Sequence, residues 1–92
     1  MSIRRLGKVV RVTKSGRFIV EAEIVPHLYT EVYDDKLNII GRVFDIMGPV
    51  SSPYISVEPI HERRIKPESM IGRYTYIRVF AKIKGKGRKR GS

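Results

Sequence analysis

Three features of this chain predict an all-β protein, a small six-stranded closed barrel with a flexible basic C-terminal tail. It has six short runs of β-forming residues, turn signals between them at close spacing, and no stretch with convincing helical periodicity. Closure fits this pattern because a closed sheet has no free edge to template aggregation. At 92 residues the chain makes one domain of modest core. Residues 1–83 are assigned to the barrel and 84–92 to the tail.

Leu6 to Thr13 alternates weakly, which places Leu6, Val10 and Val12 on one face and Val9, Arg11 and Thr13 on the other. Lys14-Ser15-Gly16-Arg17 then turns the chain into Phe18 to Ile24. There Phe18, Val20, Ala22 and Ile24 oppose Ile19, Glu21 and Glu23, and two alternating runs about a glycine-bearing turn form a hairpin. Pro26 has no N–H for a sheet ladder, so Val25 to Leu28 leaves the sheet. Thr30 to Tyr33 is a short strand, and Asp34-Asp35-Lys36 is a turn, where Asp bonds its local backbone.

The most apolar strand is Ile39 to Met47. Simple alternation puts Ile40, Phe44 and Ile46 on one face and Ile39, Val43 and Met47 on the other. A strand that is apolar on both faces wants cover on both. One cover is expected to be the protein's own core and the other a second protein. Asp45 within this strand must be exposed, paired or hydrogen-bonded, and Arg42 or Arg78 is its expected partner. Gly48 to Pro53 connects to the next strand, Tyr54 to Glu58. The segment from Pro59 to Met70 reads as a surface loop with one helical turn at Pro67-Glu68-Ser69. Tyr74 to Ile83 is the last strand. It turns Thr75, Ile77, Val79, Ala81 and Ile83 toward the core and Tyr74, Tyr76, Arg78, Phe80 and Lys82 outward. From Lys84 on, apolar content is too low to repay ordering.

The formal charge of +10 is unevenly distributed. Up to Arg17 there are six basic residues and no acid; from Arg63 onward there are eleven basic residues and one acid; between them acids outnumber bases eight to two. Such a chain meets a polyanion with its ends while its middle does something else. Without cysteine it has no disulfide framework and no thiolate metal site. No apolar run approaches the roughly 20 residues of a membrane span, so no membrane partner is expected. His27 and His61 lack ligand neighbours at metal-binding spacing. Ser51 and Ser52 lack a nucleophile-elbow context, and Gly85 and Gly87 precede no helix that would make a phosphate loop. The expectation is no enzyme, no catalytic residue, no metal and no cofactor.

Ile40-Gly41-Arg42-Val43, Asp45 ahead of an apolar pair, Gly48-Pro49-Val50 and then Pro53-Tyr54 match in type and spacing the signature of one known family. This stretch resembles the Gar-one subunit family of H/ACA ribonucleoproteins in its compact archaeal-type form, with weaker similarity from about Leu6 to Phe80. The resemblance implies a six-stranded barrel and a non-catalytic accessory subunit that docks on the catalytic domain of the pseudouridine synthase subunit. It further implies modulation of substrate loading and product release during rRNA pseudouridine synthesis. Guide and substrate RNA would be met indirectly or through the tail. The implied location is cytoplasmic, with nucleolar eukaryotic relatives.

The expected partner-binding residues are Ile40, Phe44, Gly48, Pro49, Val50, Pro53, Tyr54 and Val57, with Ile40 and Phe44 shared between core and contact. An isolated chain is expected to form a homodimer through the same surface. The rival reading is a free-standing RNA-binding β-barrel that stacks bases on the last-strand aromatics. In either case Arg78, Lys82, Lys84, Lys86, Arg88, Lys89 and Arg90 are the residues nearest RNA.

Removing Lys84 to Ser92 should abolish most of the free protein's affinity for RNA. Log affinity against log salt should flatten by roughly 0.7 for each phosphate that the shortened chain no longer neutralises; fluorescence anisotropy across a salt series measures both.

Overall fold

A computed structural model describes residues 2–60 and 66–79. Six strands, β1 (Ser2–Val12), β2 (Phe18–Ala22), β3 (Glu31–Tyr33), β4 (Ile39–Met47), β5 (Tyr54–Pro59) and β6 (Tyr74–Val79), close into a barrel in the order β1-β2-β5-β4-β3-β6. Every neighbouring pair is antiparallel. Phe80 to Ile83 of the expected last strand and the basic tail lie outside the described residues. No helix among the described residues is long and apolar enough to cross a membrane.

β1 is the longest strand and divides its length between its two neighbours. Its first part pairs with β6 from Ser2 to Lys8, and its second with β2 from Gly7 to Val12. It carries irregularities between Arg5 and Gly7 and between Val9 and Arg11. A bulge adds a residue, bends the strand and resets which side chains face inward. Leu6 and Val9 are therefore both fully buried while Val10 is exposed. Simple alternation put Val10 with Leu6, and the bulge is the reason it fails.

β4 repeats the device. The register shifts between Val43 and Asp45, which displaces Phe44. Ile40 and Val43 enter the core, Ile46 packs against it, and Phe44 and Met47 stay on the surface. The expected grouping of Ile40 with Phe44 on one face is thus corrected. The strand has one core side and one partly apolar outer side.

Aliphatic residues from all six strands fill the core around Phe18, which is fully buried. A 3-10 turn, Pro67–Met70, closes one region by inserting Met70 into this cluster. The chain after it repairs the β1 bulge: Val9 N–H donates to the Arg73 carbonyl at 2.9 Å, and Gly72 N–H donates to the Val9 carbonyl at 2.7 Å. Buried Thr75 Oγ1 donates to the Gly7 carbonyl at 2.9 Å. Asp34 plays its expected part in a turn, with Oδ1 accepting from the Lys36 and Asn38 amides, both at 2.9 Å.

Two glycines mark where strands crowd. A Cβ on Gly41 would lie 2.2 Å from the Glu58 carbonyl oxygen, and one on Gly7 would lie 2.1 Å from that of Glu21. Backbone atoms cannot swing aside as a flexible side chain can. Gly41→Ala should therefore cost about 1–3 kcal/mol, toward the upper end. In a domain of this size that lowers the thermal midpoint by about 4–8 °C per kcal/mol. Thermal unfolding followed by circular dichroism measures the shift.

Candidate functional site

The β4–β5 hairpin sets Met47 opposite Tyr54, Ile46 opposite Ile55, Asp45 opposite Ser56 and Val43 opposite Val57. Directly opposed residues share a face, and Val57 is in the core. Tyr54, Ser56 and Glu58 therefore point outward together with Met47, Asp45 and Arg42. β2 extends this surface by placing Ile19 beside Ser56 and Glu21 beside Tyr54. Ile19 and Ser56 are buried although they belong to the outer face. Around them Phe44, Met47 and Tyr54 are exposed, and Val50 at the hairpin tip is 83 % exposed.

The loop that carries Val50 is braced. Gly48 adopts φ 83, a left-handed conformation open to glycine at little cost. Ser52 N–H donates to the Pro49 carbonyl at 3.1 Å, and Ala22 N–H donates to the Pro53 carbonyl at 3.0 Å. The latter bond ties the loop to β2. Arg17 spreads its guanidinium 3.9 Å from the centre of the Phe44 ring and reaches Glu58 at 3.7 Å. The result is an apolar strip on a rigid hairpin, with an arginine stacked at one end.

Of the residues expected to bind a partner, Phe44, Gly48, Pro49, Val50 and Tyr54 lie on this surface. Ile40 and Val57 do not. They are 1 % and 0 % exposed in the core, so they support the surface from behind. Pro53 is buried under the hairpin. Met47 belongs to the strip and was missed; its place opposite Tyr54 across a short connection is the signal that could have found it. Asp45 takes neither expected partner. It is exposed, and its Oδ1 accepts from the Ile46 amide at 2.9 Å, while Arg42 lies 4.0 Å from Glu31 and Arg78 sits over the Tyr33 ring.

The expected stacking platform on β6 is occupied by the protein's own cations. Arg5 and Lys8 sit 4.5 and 5.8 Å from the centre of the Tyr74 ring, and Tyr76 is half-buried opposite Tyr33. Phe80, Lys82, Lys84, Lys86, Arg88, Lys89 and Arg90 lie outside the described residues. Among the described residues there is no group of three or more His, Cys, Asp or Glu that could hold a metal ion.

These features define a class: a small, strongly basic β-barrel with an apolar strip on one exposed hairpin. Comparison with known proteins gives the family. Residues 3–84 match the family described as the Gar1/Naf1 RNA binding region. An uncharacterized protein of Methanothermobacter thermautotrophicus is 32% identical over 80 residues, which cover 84% of this chain and 85% of that protein. The chain belongs to the Gar1/Naf1 family, whose Gar1 members are non-catalytic, RNA-binding accessory proteins of ribonucleoproteins.

Tyr33, buried at the β3–β6 junction, donates its hydroxyl to Glu31 Oε1 at 2.8 Å. That bond, helped by burial, raises its pKa above the ordinary 10.0, and nearby Arg78 opposes the shift. A raised folded-state pKa stabilises the fold fully below the unfolded value and loses that contribution as pH rises through the folded value. Tyr33→Phe should flatten the fall in thermal midpoint measured from pH 10.0 upward.

Proposed function

We propose that this protein is an accessory subunit of an H/ACA RNA-guided pseudouridylation ribonucleoprotein in the cytoplasm, and that the outer face of its β4–β5 hairpin docks on the catalytic domain of the pseudouridine synthase subunit. The observation that carries this reading is the placement of Phe44, Met47, Val50 and Tyr54 on one braced hairpin. Exposed apolar side chains grouped on one surface mark a contact with another macromolecule. A loop already bonded to its neighbours loses little entropy on docking. Family membership supports a ribonucleoprotein as the assembly.

The subunit performs no chemistry in this reading. It acts by favouring one position of the synthase's mobile substrate-holding loop, which alters substrate loading and product release. Such an effect requires unequal affinity for the two positions of that loop. Guide and substrate RNA are met indirectly or through the basic C-terminal residues. The same strip can pair with a second copy when the synthase is absent, because apolar surface left uncovered seeks cover.

Tyr54→Ala and Val50→Asp should leave the barrel folded and weaken synthase binding, measured by calorimetric titration without RNA. Loss of the aromatic anchor should cost about 2 kcal/mol, roughly a thirtyfold loss of affinity. The carboxylate at position 50 should cost more, since docking would strip its water without supplying a counter-charge. Neutralising Arg88, Lys89 and Arg90 should change this contact little. The opposite pattern, with the tail variant losing binding and the hairpin variants keeping it, would overturn the assignment.

A further inference from the structure

β3 and β6 are joined by the single residue pair Tyr33 and Tyr76. Beyond that pair each strand keeps a neighbour on one side only. β6 runs on from Ile77 to Val79 against β1, with Arg4 opposite Ile77, Ile3 opposite Arg78 and Ser2 opposite Val79. β3 runs back through Val32 and Glu31 against β4. Among the described residues nothing pairs with either segment on its other side, and a cavity of about 660 Å³ reaches Glu31, Ile77, Arg78 and Val79. The β2–β3 connection does not supply the missing strand. Its backbone bonds go to β4 instead: Tyr29 N–H donates to the Val43 carbonyl at 2.7 Å and Val43 N–H to the Thr30 carbonyl at 2.9 Å.

An open strand edge is a template for another chain. The ligand that uses it best is an extended polypeptide, which alone presents N–H and C=O groups at the repeat of the ladder. Charge narrows the choice further. Arg5, Arg17, Arg42 and Arg73 each have a carboxylate within 4.0 Å. Among the described residues Arg4, Arg11 and Arg78 have none, and Arg4 and Arg78 line this cavity. Glu31 on the same lining already has Arg42 at 4.0 Å and the Tyr33 hydroxyl at 2.8 Å. Directly opposed residues share a face, so Arg4 stands on the inner side with Ile77, and Arg78 on the outer side with Ile3. An extended peptide sends successive side chains to opposite faces. Two adjacent carboxylates on such a peptide therefore reach both arginines, one on each side of the sheet.

We propose that the edge of β6 facing β3 takes an extended acidic segment of a partner polypeptide as an added strand, its backbone continuing the ladder along Ile77 to Val79 and its carboxylates meeting Arg78 outside and Arg4 at the barrel mouth. This site lies apart from the β4–β5 hairpin and does not rest on the reading of that surface.

The test titrates the full chain, followed by nuclear magnetic resonance, with a blocked hexapeptide that has two central glutamates flanked by valine and threonine. The amide resonances of Ile77, Arg78 and Val79 should shift, and exchange of their hydrogens should slow. Replacing both glutamates by lysine should abolish binding. N-methylation of alternate peptide amides removes the donors along one edge, so one of the two alternating patterns should weaken binding about tenfold or more. Arg4→Gln and Arg78→Gln should each cost about threefold, and Arg11→Gln less than about twofold. Amides of β6 that do not move, equal binding by the parent and both N-methylated peptides, or an Arg11→Gln loss equal to that of Arg78→Gln would overturn the site. A single-stranded oligoribonucleotide that shifts the same amides and displaces the hexapeptide would overturn a polypeptide as the ligand. The peptide comparisons use the unaltered protein, so they hold whether or not a variant folds. Tyr54→Ala should bind the hexapeptide unchanged, which keeps this result distinct from that of the hairpin.

Discussion

A ring of six short strands closes only if some strands bend sharply and others come into backbone contact. In this chain the bends fall on β1 and β4, and the close approaches fall at Gly7 and Gly41. Two of these bulges take an apolar residue out of the inward sequence and turn it outward: Val10 on β1, Phe44 on β4. Bending the sheet and exposing Phe44 are therefore one event. The surface assigned to partner binding is a product of the same geometry that closes the core.

The six strands were legible from alternation and turn chemistry. Gly16 within the first hairpin, the Asp34 turn and the Gly48-Pro49 connection all lie where the backbone turns. Facing was less legible. Period two holds on β6, where Thr75 and Ile77 go inward and Tyr74 and Arg78 outward, and it fails on β1 and β4. Burial at Ile40, Val43 and Ile46 steps by three, each step the trace of one extra residue in the strand. A pattern of that spacing reads as two apolar faces when no bulge is allowed for, so Ile40 was expected to share the contact surface. The partner of Asp45 could not be read from sequence, because a local amide satisfies the carboxylate where a distant arginine was expected.

Charge is segregated along the chain and also by local pairing. Arg17 and Arg42 lie near Glu58 and Glu31, exposed pairs worth little in stability that nonetheless cancel charge locally. On the β3–β6 side Arg4 and Arg78 keep theirs.

The lone rung between Tyr33 and Tyr76 also bears on how the molecule moves. Each other pair of neighbouring strands shares at least three residue pairs, so the closed ring behaves mechanically as a curled five-junction sheet with one light clasp. Releasing the clasp breaks few backbone bonds and leaves the other junctions intact, which makes it the least costly opening available to the barrel. The amide hydrogens of β3 and β6 that face each other across this junction are then expected to exchange by local breathing before those of the β1–β2 and β4–β5 ladders. In assembly of the fold the same junction is the natural last step, made after β6-β1-β2-β5-β4-β3 has already rolled into a sheet.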